Sequence, residues 1–243
     1  MSSTSPLTHE LQTLKSLTNY PAWIFEELRP FLGTQLAEIG GGLGAFTAVI
    51  AREHVLRHPN ASLDVFEPDA ALFDALGEFL HEQFHPLMQA GRLQTIQGEF
   101  HSLPRQYDTT ILVNVLEHIE DDGRLLDSIH ESLAPHGTLI VYVPALPWLF
   151  SPLDHAVGHV RRYDKHRLEQ LFESHRFEVV KAIYMDMAGI LPWYLFNVLG
   201  RSRTINARLA QLYDRWCVPA TKFVERHCGA PLGKNLLIIG RKQ

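Results

Sequence analysis

Glycine fills four of the five positions 40–44, directly after a short apolar run at residues 36–39. A segment of helical period follows, in which Phe46, Val49 and Ile50 share one side. Glycines at a strand-to-helix turn allow tight turning and close approach of the backbone to a ligand. The amino end of the helix beyond them favours a carboxylate or a phosphate. The segment therefore predicts a ligand-binding loop at the end of a strand.

The loop by itself leaves three interpretations open. Gly40-x-Gly42-x-x-Ala45 also satisfies the dinucleotide-binding pattern, and Glu67 lies at a distance along the chain at which it could hold a ribose. A tight turn between a strand and a helix, with no ligand, would need glycines as well. Motifs elsewhere in the chain must decide between a nucleotide, another ligand and a plain turn.

Residues 81–85 spell a zinc-protease pattern, with His81 and His85 one helical turn apart beside a glutamate. We expect this match to be accidental. Pro86 should end the helix there, and the two histidines flank an apolar stripe, which places them on the solvated side. His54 and His58 have the same spacing and are expected on a polar helix face. The sequence predicts no bound metal.

Apolar runs alternate with helical patterns along most of the chain. Predicted strands lie at residues 36–39, 62–67, 93–97, 110–115, 138–143, 177–184 and 235–241. Helices are predicted through Trp23 to Phe31, over 125–133 and over 165–174, with a loop at 144–163 and an aromatic-rich helical insert at 186–228. This alternation predicts a mostly parallel sheet with right-handed crossovers.

The composition fits one large α/β domain. The chain has 243 residues, 46% of them hydrophobic, and a formal net charge of −5, which gives no reason to expect a nucleic acid as partner. Two cysteines and a start without an apolar leader indicate the reducing cytoplasm. The longest apolar stretch, residues 188–199, falls short of the roughly 20 residues that a membrane span needs.

Several motifs together resemble the class I S-adenosylmethionine-dependent methyltransferases. Glu38-Ile-Gly40-Gly-Gly42-Leu-Gly44 resembles the family's first motif, and Glu67 resembles its ribose-binding acid. The segments at 114–119, 133–140 and 236–241 resemble the motif after strand four, the motif before strand five and the last strand. The resemblance covers roughly residues 20–184 and 231–243. A dehydrogenase is not expected to combine Glu38 with the segment at 114–119.

The resemblance implies a Rossmann-like, doubly wound α/β sheet of seven strands, with an antiparallel last strand and a helical insert before it. The whole chain, 1–243, would form one methyltransferase domain. Its parts would be a helical cap at 1–34, a cofactor-binding core at 35–185 with a substrate loop at 144–163, the insert at 186–230 and the final strand at 231–243. A cytoplasmic bacterial enzyme, monomeric or homodimeric, is expected.

The implied cofactor is S-adenosyl-L-methionine, with S-adenosyl-L-homocysteine as product. Residues of the first motif and of the strand-four end would lie beside its methionine part, and others would hold the ribose and the adenine. The cofactor-binding set is Glu38, Gly40, Gly42, Gly44, Glu67, Pro68, Glu99, Phe100, Asn114 and Val115. Glu99 stands where many relatives carry aspartate.

The resemblance also places an acceptor site between the N-terminal helix, the loop after strand five and the insert. The substrate-binding set is Tyr20, Trp23, Trp148, Phe150, Arg161, Arg162, Tyr163, Trp193 and Tyr194. Residues 151–163 resemble a bacterial subgroup with some members fused to glycosyltransferases. The arginines would bind an anionic acceptor or pair with surface acids. The aromatic insert would form a lid, a packing layer or a dimer interface.

A proton must be removed if the acceptor is a hydroxyl, an acidic carbon or a protonated amine. His159 and His155 have suitable pKa values for a base, Asp154 could orient one of them, and His118 is a further candidate. His159 could instead be a loop cap before Asp164.

The predicted function is methyl transfer to O, N or C of a small acceptor with an apolar or aromatic body. The alternative acceptor is a protein side chain or N-terminus. A remote alternative is an NAD(P)-dependent oxidoreductase, and a cofactor-binding scaffold without turnover is a non-enzymatic one.

Overall fold

The computed structural model describes residues 5–101 and 106–243. In these residues seven strands form a single sheet in the order β3-β2-β1-β4-β5-β7-β6. The strands are β1 Gln35–Ile39, β2 Ser62–Glu67, β3 Leu93–Gln97, β4 Tyr107–Val113, β5 Leu133–Pro144, β6 Phe177–Met185 and β7 Asn235–Lys242. Neighbours among β1 to β5 are parallel, and β7 runs antiparallel to both β5 and β6. The predicted doubly wound sheet with an antiparallel last strand is confirmed.

Helices cover both faces of this sheet. They are α1 Pro6–Lys15, α2 Asn19–Leu28, α3 Ala45–Ile50, α4 Ala70–Gln89, α5 Asp122–Ser132, α6 Pro152–Ala156, α7 Lys165–Ser174, α8 Ile190–Trp193, α9 Ala207–Leu212 and α10 Val218–Cys228. Successive residues of a strand contribute to two apolar clusters on opposite faces of the sheet, for example Val65 beside α4 and Phe66 on the other face. Burial on both faces explains why the central strands are almost continuously apolar.

Three boundary predictions were wrong. Strand β4 ends at Val113 rather than at residue 115, because Asn114 turns the chain with a φ of +54°. Strand β5 already begins at Leu133, where the sequence predicts the end of a helix and a turn. Helix α4 continues through Pro86 to Gln89, since Phe84 leaves helical geometry (φ −134°, ψ 28°) and the kink accommodates the proline ring.

The N-terminal cap has one more helix than the sequence analysis predicts. Helix α1 begins with Ser5, whose hydroxyl accepts from the Thr8 amide at 3.1 Å, and Pro6 occupies its first turn. Helix α2 is buried through Trp23, which is 2% exposed. Its chain continues as a 3₁₀ turn over Arg29–Phe31.

A buried carboxylate of the insert attaches it to this cap. Asp214 accepts hydrogen bonds from the amides of Thr18 (3.0 Å), Asn19 (3.1 Å) and Tyr20 (2.7 Å). These amides open α2 and have no partner inside the helix, and a negative charge at a helix amino end is favourable. The bond spans nearly two hundred residues of sequence, so it holds the cap and the insert together.

The helical insert consists of two rods. The first runs from α8 through a wider π turn over Tyr194–Leu199, and the second joins α9, a π turn over Tyr213–Cys217 and α10. Among the residues that the structure describes, no helix is both long enough and apolar enough to pass through a membrane.

Replacing Asp214 with alanine should lower the free energy of unfolding by about 2–3 kcal/mol, because three amides at the start of α2 lose a charged acceptor. Chemical denaturation measures the loss. Asp121→Ala is the matched control, since the exposed Asp121 caps α5 through one amide and its loss should cost about 1 kcal/mol. Equal losses in the two variants would show that Asp214 does not fasten the cap.

Candidate active site

The loop after β1 requires its glycines. Gly40, Gly42 and Gly44 have φ values of +78°, +53° and +80°, which side-chain-bearing residues rarely adopt. A Cβ on Gly40 would collide with Val115, and one on Gly44 would lie 2.7 Å from the Phe79 ring. The loop is thus packed against Val115, just after β4, and against helix α4.

Glu67 ends β2 beside this loop. One carboxylate oxygen accepts from the Gly42 amide at 2.8 Å and the other from the Asp69 amide at 3.0 Å. Each oxygen keeps further acceptor capacity. A carboxylate fixed in this way, at the carboxyl end of a strand next to a glycine loop, fits the two hydroxyls of a ribose.

Glu38 is a buried carboxyl next to the loop. Burial raises its pKa to about 8, and the neighbouring charge of Glu67 adds to this effect. Its Oε2 atom has no hydrogen-bond partner among the described residues. A protonated Glu38 can therefore donate a hydrogen bond at neutral pH, and its free oxygen is available to a ligand or a water.

The other predicted cofactor residues lie along the same edge of the sheet. Phe100 is buried against Phe66, with ring centroids 4.9 Å apart, whereas Pro68 and Glu99 are exposed at the ends of β2 and β3. Asn114 follows β4 and lines a pocket that opens beside the glycine loop.

This pocket is closed by segments that are far apart in sequence. Helix α1, the ends of β4 and β5, the loop after β5, the insert and the start of β7 all contribute to it. Its lining comprises Leu7, Glu10, Leu11, Leu14, Tyr20, Asn114, His118, Pro144, His159, Arg162, Trp193, Ile205, Lys234 and Asn235. The α1 residues, Ile205, Lys234 and Asn235 are not among the residues that the sequence predicts for the site. The spacing of Leu7, Leu11 and Leu14 on an amphipathic helix was the signal that could have found α1.

Asp154 organises the loop after β5. Its Oδ1 atom accepts from His159 Nδ1 at 2.9 Å and from Arg162 Nε at 2.9 Å, and its Oδ2 atom accepts from the Ser151 amide at 2.8 Å. Burial alone would raise the pKa of Asp154, but the bonds from His159 and Arg162 hold it below the usual value. Arg162 also stacks on Trp193, with its guanidinium carbon 4.5 Å from the ring centroid.

His159 is buried, and it bonds to Asp154 through only one of its two ring nitrogens. Burial lowers its pKa, but the bond to Asp154 and the charge of Glu117 outweigh burial, so the pKa lies above the usual histidine value. With Nδ1 bonded to Asp154, Nε2 points toward Glu117 Oε1, 3.8 Å away, and the ring lies against His118 with centroids 4.6 Å apart. Burial and the charge of His159 lower the pKa of His118 to about 4, so His118 is neutral.

Glu117 is fully buried, and neither carboxylate oxygen has a hydrogen-bond partner among the described residues. Burial raises its pKa to about 7. Glu117, His118 and His159 offer donor atoms within 4.8 Å of one another, the one such group of three in residues 5–101 and 106–243. Donors around a first-row cation lie about 3.0–3.4 Å apart, so this cluster would have to contract to hold one.

The remaining predicted residues divide between the pocket and other places. His155 is exposed, because α6 ends at Ala156 and the chain turns before His159. His81 and His85 are exposed with rings 4.6 Å apart, and they belong to no group of three donors in the described residues.

The aromatic and basic residues divide in the same way. Tyr20 is buried at the pocket and its hydroxyl pairs with that of Tyr142 at 2.8 Å, whereas Trp23 lies in the apolar core. Trp148 and Phe150 are exposed, and Trp148 packs against Tyr194.

Arg161 pairs with Asp122 at 2.6 Å, the surface-acid alternative of the sequence analysis. Tyr163 is buried and donates to Leu116 O at 3.1 Å.

Residues 13–182 match a family model described as a methyltransferase domain. This match covers well over half of the chain and contains both the glycine loop and the Asp154–His159 pair. The chain belongs to the class I S-adenosylmethionine-dependent methyltransferases.

This methyltransferase is 28% identical over 120 residues to the mitochondrial ubiquinone biosynthesis O-methyltransferase of Schizosaccharomyces pombe. The matched stretch is 49% of this chain and 40% of that relative, less than half of either.

Solved structures show the same fold. The YcgJ protein from Bacillus subtilis matches with a TM-score of 0.58 and 12% identity, over 91% of this chain and 98% of that one. The [4+2]-cyclase SpnF matches with a TM-score of 0.58 and 16% identity, over 91% of this chain and 80% of that one. Because these identities are low, the likeness shows the fold alone.

Glu67→Ala should weaken binding of S-adenosylmethionine by about 10–100-fold. The variant loses two charge-assisted hydrogen bonds of about 1.5–3 kcal/mol each to the ribose, and bonds to water compensate for part of that loss. Titration calorimetry on the folded variant measures this change. Asp69→Ala removes a cap of α4 and leaves the Glu67 carboxylate in place, so it should bind the cofactor like the unchanged protein. Unchanged affinity in folded Glu67→Ala would remove Glu67 from the cofactor site.

Proposed function

We propose that this methyltransferase transfers a methyl group to a small acceptor with an apolar or aromatic body, most readily at a hydroxyl. The observation that carries the proposal is the buried His159, which is held by Asp154 and lines the pocket. The name of the O-methyltransferase relative supports a hydroxyl acceptor.

S-adenosylmethionine supplies a methyl group on a positively charged sulfur. We assign its ribose to Glu67, its methionine part to the loop of Gly40, Gly42 and Gly44 with Glu38, Asn114 and Val115, and its adenine to Pro68, Glu99 and Phe100. Leu11 of α1 lies over Gly42, near enough that a Cβ there would be 3.3 Å from it. Helix α1 would therefore exclude water from the loop.

His159 is the base of this proposal. Its Nε2 atom would take the proton of the acceptor hydroxyl, and the ionised Asp154 would stabilise the resulting imidazolium. Arg162 keeps Asp154 charged and fixes its position through the second bond to Oδ1. The neutral His118 packs on the His159 ring and orients it, so the two histidines have different roles.

The acceptor would lie between α1 and the insert. Leu7 and Leu14 from α1 and Trp193 from the insert supply apolar walls, while Glu10 and Lys234 add charges of opposite sign. Burial raises the pKa of Glu10, against the attraction of His159. Tyr20, Trp148, Phe150 and Tyr194 would complete the aromatic rim. An enclosure of this kind favours a small molecule over a protein chain.

Incubation of cell extract with methyl-labelled S-adenosylmethionine and this protein should label a small molecule with an aromatic or apolar body. Mass spectrometry of the labelled fraction identifies the product and the methylated atom. His159→Ala protein is the control for background transfer. Label found only in protein or nucleic acid would overturn the proposal.

His159→Ala should lower kcat by about 10²–10⁴-fold without weakening cofactor binding, because a general base contributes that much. The unchanged enzyme should lose activity as the pH falls through the pKa of His159, which lies above the usual histidine value, since protonated Nε2 cannot accept a proton. That acid limb should be absent from the residual activity of the variant. His166→Ala, an exposed histidine of α7, is the control and should match the unchanged enzyme. Full activity in His159→Ala at every pH would make His159 a loop cap.

Turnover should persist in a strong chelator, because His159 is here a proton acceptor with its Nδ1 bonded to Asp154. The assay compares rates before and after dialysis against the chelator. If activity disappears and a divalent cation restores it, Glu117, His118 and His159 hold a cation and the base assignment is wrong.

A further inference from the structure

Most of the large hydrophobic side chains that solvent reaches lie on one part of the molecule. On the two rods of the insert they are Leu191, Leu195, Phe196, Leu199, Leu209, Leu212, Trp216, Phe223 and Val224, which together we call the apolar face. Trp216 is 66% exposed and Phe223 is 65% exposed. Exposed apolar surface of this density marks an interaction site.

Helical spacing gathers these side chains on the outer side of each rod. Leu191, Leu195 and Leu199 follow at intervals of four residues. On the second rod Leu212, Trp216 and Phe223 share one side.

The opposite side of the second rod is buried in the protein through Asp214, Val218 and Thr221. Exposed and buried members lie two residues apart on this rod, and so on roughly opposite sides: Leu212 and Trp216 flank Asp214, and Phe223 follows Thr221. The second rod is therefore anchored by one side, and its apolar side faces outward.

The charges that accompany the apolar face have one sign. Arg201, Arg203, Arg208 and Arg215 are exposed, and no ion pair of theirs is among those formed within residues 5–101 and 106–243. Lys222 and Arg226 are paired with Glu26.

Both acids of residues 187–232 turn inward. Asp214 caps α2, and Glu225 accepts from the Met187 amide at 2.6 Å. This outward surface is thus positive in a chain whose formal net charge is −5.

We propose that the apolar face docks onto the surface of an anionic lipid bilayer. Leucine, phenylalanine and tryptophan on one side of a helix, with arginines beside them, match a helix lying in the membrane interface. The apolar side chains would enter the boundary between headgroups and acyl chains, and the four unpaired arginines would meet lipid phosphates.

The charge of the apolar face favours a lipid bilayer over a second copy of the chain as its partner. A symmetric dimer through the apolar face would set the same surface against itself. Arg201, Arg203, Arg208 and Arg215 would then face arginines, with no exposed acid of residues 187–232 to neutralise them. An anionic bilayer offers the complementary sign over the whole face.

The first rod of the insert contributes both to the apolar face and to the lining of the acceptor pocket. Trp193 and Ile205 line the pocket, while Leu191 and Leu195 on the same rod as Trp193 belong to the apolar face. An acceptor with an apolar tail could therefore reach the pocket from the bilayer. This consequence rests on the proposed function, whereas docking itself does not.

Cosedimentation with vesicles tests the proposal on the full chain, without cofactor or acceptor. The protein should pellet with vesicles of phosphatidylcholine containing phosphatidylglycerol and remain in solution with phosphatidylcholine alone. High salt should release it, because the arginine contribution is screened. The double variants Phe196→Ser/Trp216→Ser and Arg208→Glu/Arg215→Glu should each weaken binding more than about tenfold.

Matched controls keep the outcomes distinct. Arg167→Glu/Arg241→Glu makes the same charge change on exposed residues of α7 and β7, and Leu56→Ser removes an exposed leucine after α3. Both controls should bind vesicles like the unchanged protein, and circular dichroism checks that every variant is folded.

The proposal is overturned if the protein stays in solution with anionic vesicles, binds both vesicle types equally, or loses binding as much in the controls. A stable dimer that Phe196→Ser/Trp216→Ser converts to monomer would overturn it in favour of self-association. Methyl transfer is not measured, so failure of docking leaves the proposed reaction untouched.

Discussion

The buried carboxylate of Asp154 is the interaction on which the acceptor side of this molecule depends. It is inaccessible to solvent, and a charge in that position is costly unless it is paired and hydrogen-bonded. His159, Arg162 and Ser151 supply the bonds. One carboxylate thereby fixes the loop after β5, the tautomer of a histidine and the position of an arginine that packs on the insert.

The rest of the site depends on the N-terminal cap and the insert, which meet over the sheet. The parallel strands deliver Glu67 and the glycine loop to one edge, and nothing in the sheet itself covers them. Helix α1 and the insert provide the cover, and Asp214 and Asp186 tie the insert to the cap through Tyr20. The sheet thus presents Glu67 and the glycine loop, while the N-terminal cap, the insert and the start of β7 line the pocket.

The fold alone does not decide the chemistry. A cyclase has the same architecture at 16% identity, so the reaction has to be argued from the residues of the site. In the proposed function, the buried His159 with its carboxylate partner takes the proton of the acceptor. The apolar face of the insert and the arginines beside it raise a second question, namely where in the cell the enzyme meets its acceptor.

Local patterns in the sequence determined the strands, the glycine loop and Glu67. Burial on both faces makes the central strands apolar, and a positive φ next to a strand end calls for glycine, so neighbours in sequence carry this information. Asp154 as a partner of His159 is also local, since five residues separate them. The boundaries at Asn114 and Pro86 were wrong, because a turn and a kink depend on packing that local propensity does not contain.

Only the tertiary structure decided which side chains share the pocket. Trp23 lies in the core and His155 in solvent, while Glu10, Lys234 and Asn235 line the site. Likewise, only tertiary packing selected the inner side of the insert, through Asp214 and its partners at Thr18 to Tyr20. Contacts between residues nearly two hundred positions apart arise from how the caps dock on the sheet. The helical period shows that a helix has two different sides. It does not show which of them packs against the rest of the protein.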